Sequence, residues 1–153
     1  MELQTGQPIQ TSSQNSSQNE PTVYRVPANL IMSAVKSLEP FLIDAAKLSR
    51  GRLAAGDILD LLNRDLMQVW LVADRGKLVA ACFTEVINYP QEKILRIAAL
   101  VGKDRKRWMH LFDEGLDWGK DQGCTKVEAY VRPGLARILH DFKKIYLVVE
   151  REL

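Results

Sequence analysis

Residues 100–109 read LVGKDRKRWM, and they lie where an apolar run gives way to an amphipathic one. A strand-to-helix junction of this kind can bind phosphate, because the backbone N–H groups and the dipole at a helix N-terminus attract anions. Phosphate-binding turns usually carry two or three glycines, whereas this stretch has only Gly102. Its basic residues are Lys103, Arg105, Lys106 and Arg107. Residues 103–107 are therefore a candidate contact for an anionic ligand.

The basic cluster carries an energetic cost at a helix start. Cations there oppose the helix dipole by up to about 1 kcal/mol each when they are exposed. Asp104 can serve as the N-cap and offset part of that cost. Two interpretations stay open: the cluster has an anionic partner, or it is a solvated surface with a small penalty.

Glu85 is a second candidate for chemistry, because it lies in the middle of the strand-like run CFTEVI. Alternation along a strand can aim its carboxylate at a cleft, where it would act as a general base. The alternative is that Glu85 belongs to the polar face of the strand, and Glu128 in KVEAYV is a similar case.

The cysteines, Cys82 and Cys124, are too few for a disulfide framework and have no metal-site spacing, so free thiols in a reducing compartment are expected.

Hydrophobic periodicity supplies the elements that would position these groups. In chain order we predict a strand at 22–26, helices at 28–49 and 58–64, strands at 67–73, 78–87 and 93–101, a helix at 108–121, a strand at 126–131, a helix at 135–142 and a strand at 144–150. Pro40 should kink or split the first helix near Glu39, and Asp57 is the predicted N-cap of the second.

The predicted order is β-α-α-β-β-β-α-β-α-β, which indicates an α+β fold with a mixed sheet flanked by helices. The run at 93–101 is almost entirely apolar, as in a strand buried on both faces. A right-handed crossover through the following helix makes it parallel to the strand at 126–131. The hairpins around this unit make the other pairs antiparallel.

Composition divides the chain into a polar arm, residues 1–21, and a domain, residues 22–153. The arm contains SSQN twice and too little apolar surface to offset its ordering entropy, so we expect it to gain order only against another chain. The net charge of +2 is too small for nucleic-acid binding by the surface as a whole, so binding of nucleic acid by residues 103–107 is a third alternative without further support. The sequence has no apolar run of membrane-spanning length and no signal-peptide pattern, so neither a membrane contact nor secretion is expected.

The element order and three stretches, MQVWLVADRGKLVAACFTEV, DQGC and RPGLARIL, resemble the GNAT (GCN5-related N-acetyltransferase) family, in particular small GNAT-like proteins encoded by tailed bacteriophages. The resemblance implies that acetyl-CoA would enter where two parallel strands separate. Its pyrophosphate would rest on Val101, Gly102 and the basic cluster. The family carries further small residues there, whereas this chain has Lys, Arg and Trp, so we expect a degenerate site that binds acetyl-CoA poorly or not at all.

In many GNAT enzymes a Tyr on the last helix acts as the general acid that protonates the leaving thiolate. In ARILHD the residue at that position is His140. Histidine can act as an acid near neutral pH; the alternative is a half-exposed polar residue at a helix end.

The resemblance implies two functions of different classes. The first is a non-catalytic virion or assembly component, located in the virion or the host cytoplasm. It would dock to other virion proteins through residues 1–21 as part of an oligomeric assembly. The alternative is an acetyl-CoA-dependent N-acetyltransferase, with Glu85 and His140 as its candidate catalytic residues.

Overall fold

One mixed sheet organises residues 19–153, the part of the chain that the computed structural model describes. Its strands are β1 (Thr22–Arg25), β2 (Gln68–Asp74), β3 (Lys77–Asn88), β4 (Lys93–Gly102) and β5 (Lys126–Ala129), and their order in the sheet is their order in the chain. The pairs β1–β2, β2–β3 and β3–β4 are antiparallel, and β4–β5 is parallel. The predicted α+β class and the parallel pair are confirmed. Residues 1–18 of the predicted arm lie outside the described residues.

The helices cover both faces of this sheet. They are α1 (Val35–Leu48), α2 (Ala55–Asn63), α3 (Arg105–Trp108), α4 (Phe112–Asp121) and α5 (Pro133–Ala136), with short 3-10 helices at Ala28–Leu30, Met32–Ala34 and Met109–Leu111. Among the described helices, none has the length and apolar character needed to cross a membrane.

The core explains why β2 is apolar along nearly its whole length. Val69 and Leu71 are buried in the cluster that α1 and α2 form with one face of the sheet. Val72 packs on the other face with Trp108 of α3, and Trp70 stacks edge-on against Trp118 of α4. A strand with helices on both faces buries successive side chains on opposite sides, so it reads as a continuous hydrophobic run.

The structure corrects two predictions about the first helices. Helix α1 is not split at Pro40, and the break in the predicted helix lies earlier, where the 3-10 helices precede Val35. Asp57 is not the N-cap of α2 but its third residue, and its carboxylate accepts a hydrogen bond of 2.8 Å from the backbone N–H of Ala54. The side chain therefore caps the helix from inside the first turn, which favours acidic groups.

The C-terminal elements are shorter than the sequence predicts. Helix α5 ends at Ala136 rather than at residue 142, and residues 144–150 form no strand. Strand β5 therefore lies at an edge of the sheet in the described part of the chain.

Candidate functional site

The parallel pairing of β4 and β5 is short, because β5 ends at Ala129. Their register runs from Ile94 opposite Lys126 to Ile97 opposite Ala129, and β4 then continues to Gly102. Beyond Ile97, β4 pairs only with β3 in the described residues, so the edge of residues 98–102 that faces away from β3 has no strand beside it. This is the kind of opening in which the family resemblance places acetyl-CoA.

Gly102 closes β4 against β3. Its φ is +130°, and a Cβ added there would lie 2.4 Å from both the Cα of Ala80 and the carbonyl oxygen of Val79. The next backbone N–H, that of Lys103, donates a hydrogen bond of 2.9 Å to the same Val79 oxygen. Only glycine combines this backbone angle with so close an approach. The neighbouring strand therefore accounts for Gly102 without any phosphate.

Arg107 is tied to the sheet rather than free at the surface. Its guanidinium donates to both carboxylate oxygens of Asp74, at 2.6 and 3.0 Å, and also to the carbonyl oxygen of Asn19 at 3.1 Å. Asp74 is only 5% exposed. The hydrogen bonds from Arg107 hold the pKa of the Asp74 carboxyl below its ordinary value, with the positive charges of Arg107 and Arg75 acting in the same direction against burial. Arg107 therefore differs from a solvated surface cation, because the buried Asp74 carboxylate needs it as a partner.

The start of α3 is equally specialised. Trp108 is buried, and its indole N–H donates a hydrogen bond of 2.6 Å to the carbonyl oxygen of Lys103. Asp104 occupies the predicted N-cap position with a left-handed backbone, φ +57°, but its side chain makes no capping hydrogen bond. Val101 is buried in the core. Of the candidate cofactor-binding residues, the exposed cations are Lys103, Arg105 and Lys106, and none of them has an ion-pair partner within residues 19–153.

Glu85 lies beside an ion pair that the sequence analysis missed. It is directly opposite Arg96 in the β3–β4 register, and directly opposite side chains of an antiparallel pair share a face. Arg96 donates two hydrogen bonds, of 2.8 and 2.7 Å, to one carboxylate oxygen of Glu128 on β5. Both ion-paired side chains are less than 20% exposed. An Arg inside the apolar run KILRIAALV was the available signal, since a buried cation requires a partner.

Tyrosines extend this polar cluster towards the end of β5. The Arg96 guanidinium lies 5.0 Å from the ring centroid of Tyr130, in a cation–π arrangement, and donates a hydrogen bond of 3.3 Å to the Tyr89 hydroxyl. The Tyr146 hydroxyl donates to the Tyr130 hydroxyl at 3.0 Å, and this hydrogen bond raises the pKa of Tyr146 to about 12. The Tyr146 phenol therefore keeps its proton to a higher pH than an ordinary tyrosine does.

His140 lies apart from this cluster. It is exposed and follows the end of α5 instead of lying on the predicted helix. Within residues 19–153 no hydrogen bond or ion pair joins His140 to Glu85 or to Glu128. The structure thus brings Glu85, Arg96 and Glu128 together and leaves His140 outside, and the catalytic assignments of Glu85 and His140 stay predictions.

A small apolar cavity lies between the sheet and α4. Its volume is about 40 Å³, and it is bounded by aromatic and aliphatic side chains that include Trp70, Leu100, Trp108 and Phe112. Cys82 also lines it, and burial raises the pKa of the Cys82 thiol to about 12. Burial raises the pKa of Cys124 as well, against the nearby charge of Lys93. Both cysteines are free thiols, as predicted, and both are protonated at neutral pH. In the described chain no group of three or more His, Cys, Asp or Glu is arranged to hold a metal ion.

Known proteins resemble this chain in structure. An aminoglycoside acetyltransferase, meta-AAC0020, from an uncultured soil metagenomic sample, in complex with sisomicin, superposes with a TM-score of 0.64 at 13% identity, over 87% of this chain and 95% of that one. AAC(6')-Iy, in complex with a CoA-linked bisubstrate analogue, gives 0.62 at 12% identity, over 88% and 99%. A predicted acetyltransferase with acetyl-CoA from Clostridium acetobutylicum gives 0.54 at 15% identity, over 85% and 96%. No family model matches the sequence, and no curated protein matches it.

These neighbours and the mixed five-stranded sheet define the class of fold. The chain has a GNAT-like fold, as its element order predicts. At these identities the likeness concerns the fold alone, and function has to be argued from the site.

Proposed function

We propose that this protein is a non-catalytic member of the GNAT-like fold class that serves as a bacteriophage virion or assembly component and docks to other virion proteins through residues 1–21. The observation that carries the proposal is that three residues of the would-be phosphate turn are already used by the fold. Gly102 is packed against β3, Arg107 is paired with Asp74, and Trp108 is buried with its N–H on Lys103.

Acetyl-CoA does not fit this turn well. Pyrophosphate binding at a helix start needs backbone N–H groups that the ligand can approach closely. The Lys103 N–H is taken by Val79, and α3 has only four residues before the 3-10 helix that follows, so its dipole is small. The exposed cations that remain can attract an anion only as mobile surface charges, which bind weakly and are screened by salt.

We therefore expect acetyl-CoA to bind with a dissociation constant weaker than about 1 mM. Isothermal titration calorimetry of the full chain with acetyl-CoA is the measurement, and a K103Q/R105Q/K106Q variant is the matched control, because these three side chains are exposed. A stoichiometric interaction in the low-micromolar range that the triple change abolishes would overturn the proposal and identify the turn as a working cofactor site.

The opening between β4 and β5 favours a second candidate, an acetyl-CoA-dependent N-acetyltransferase. The support for this candidate is the position of Glu85. It lies opposite Arg96 in the β3–β4 register, but Arg96 makes its ion pair with Glu128 and not with Glu85. A carboxylate placed so could accept a proton from an amine, and acetyl-CoA would supply the acetyl group when bound. If calorimetry shows tight binding, E85Q should lower acetylation of an amine acceptor without weakening acetyl-CoA binding.

The docking role is tested by deleting residues 1–18, which keeps the contact between Asn19 and Arg107. The melting temperature should change by less than about 2 °C, because a polar arm adds little to the core. Incorporation into the particle should be lost. The measurements are thermal unfolding and co-purification with virions when the truncated copy replaces the full chain, with a scrambled 1–18 sequence as the control for length and composition. Full occupancy of the truncated chain would show the arm to be a passive tail.

A further inference from the structure

The C-terminal segment at 144–150, KIYLVVE, exposes an unusual amount of apolar surface. Five consecutive apolar residues are involved, and their exposed fractions are 63% for Ile145, 54% for Tyr146, 89% for Leu147, 65% for Val148 and 89% for Val149. Isolated exposed apolar residues are ordinary, whereas a contiguous apolar patch indicates an interaction site. A binding partner that covers the segment is therefore indicated.

The backbone of the same segment is also open. Within the described residues it belongs to no strand and makes no backbone hydrogen bond to another backbone group. Its composition is rich in β-branched and aromatic residues, which favour strands. Exposure alternates as well, since Leu147 and Val149 are each more exposed than Tyr146 and Val148. A segment with strand chemistry and unpaired backbone groups is a template for pairing with another strand.

We propose that residues 144–150 pair in antiparallel fashion with the same residues of a second copy of this chain, about a two-fold axis through Leu147. The sequence is complementary to itself in this register. Lys144 lies opposite Glu150 of the second copy, Ile145 opposite Val149, Tyr146 opposite Val148, and Leu147 opposite itself. Every apolar side chain thus meets an apolar one, and both terminal charges meet an opposite charge.

Competing arrangements lose this complementarity. Parallel pairing in register would place Lys144 beside Lys144 and Glu150 beside Glu150, and like charges opposite each other are destabilising. A one-residue slip would place one of the two terminal charges against an apolar side chain, either Lys144 opposite Val149 or Glu150 opposite Ile145. It would also move the side chains of each strand to the opposite face of the pair. A two-fold axis also gives a closed dimer, because each copy presents the same surface.

The existing contacts of Glu150 are compatible with pairing. Its carboxylate contacts Arg50 and Arg52, but all three side chains are more than half exposed. Ion pairs in such surroundings contribute little, so they can be shared or exchanged at small cost. The apolar pairs supply the affinity and the charges fix the register.

Cysteine cross-linking tests the register directly. In a C124S background, L147C should form a disulfide with its own copy under mild oxidation, because the two residues face each other at the axis. V149C alone should not, since its mate lies four residues along the strand, about 13 Å away. Mixing I145C with V149C should restore the cross-link. Equal cross-linking of V149C and L147C, or none with L147C, would overturn this register.

Oligomeric state in solution is the second readout. Light scattering on the full chain at about 100 µM should show a dimer that L147K converts to a monomer, because it places like charges at the axis. The matched control is L66K, at an exposed leucine elsewhere in the fold, which should remain dimeric. A monomeric full chain, or a dimeric L147K variant, would overturn the proposal. Neither outcome bears on acetyl-CoA binding, so this inference stands or falls separately from the proposed function.

Discussion

Replacing Gly102 with alanine is expected to lower the free energy of unfolding by about 3–5 kcal/mol. The added Cβ would lie 2.4 Å from two backbone atoms of β3, the Cα of Ala80 and the carbonyl oxygen of Val79. Neither atom can move without disturbing the β3–β4 pairing. A φ of +130° adds strain for any residue with a side chain. A loss of this size is a large part of the total stability of an ordinary domain.

The measurement is chemical or thermal unfolding of G102A beside G56A. Gly56 lies in the first turn of α2, is exposed, and has open space where a Cβ would stand. Alanine there should be neutral or stabilising by up to about 1 kcal/mol, because it reduces the entropy of the unfolded chain. If G102A is as stable as G56A, the close approach of β4 to β3 is not a structural requirement, and the glycine becomes available to a ligand.

The sheet could be predicted from sequence because its signals are local. The apolar run at 93–101 indicated a strand covered on both faces, and in β4 the successive residues Ile94 and Leu95 are both buried, although Ala98 is exposed. The crossover rule then gave the parallel β4–β5 pair. The C-terminal segment shows the limit of this reasoning. Residues 144–150 have the composition of a strand, but a strand also needs an edge to pair with, and no local pattern specifies that edge.

The candidate site was predicted less well because its contacts are distant in sequence. The basic cluster was visible, but the partner of Arg107 is Asp74, 33 residues away at the end of β2. An acidic residue at the end of a strand is common in turns, so the sequence did not indicate that Asp74 would be buried. Arg96 and Glu128 are joined in the same way across 32 residues. The sequence pattern around each candidate residue does not show its partner, whereas in the fold the roles of Arg96 and Arg107 depend on those partners.

The second large effect on stability is expected from breaking the ion pair between Asp74 and Arg107. R107M should lower the melting temperature by about 5–10 °C at pH 7, because it leaves a buried carboxylate without its cation. R105M is the matched control, since it makes the same change at an exposed position of the same helix turn, and it should move the melting temperature by about 1 °C at most. Equal effects of the two changes would mean that the ion pair does not stabilise the fold.

The pH dependence separates loss of this pair from loss of packing. In the native protein the pKa of Asp74 is lowered, so the native state binds fewer protons than the unfolded one. The stabilisation is therefore complete above the unfolded pKa of about 4 and is lost as pH falls through the lower native value. In R107M, Asp74 stays buried but has lost its cation, so its pKa should rise. Protonation at acid pH should then remove the cost of burying its unpaired charge. The gap between wild type and R107M should therefore narrow from pH 7 to pH 3, and D74N should approach wild type over the same range. A gap that stays constant with pH would assign the loss to packing of the Arg107 side chain and not to its charge.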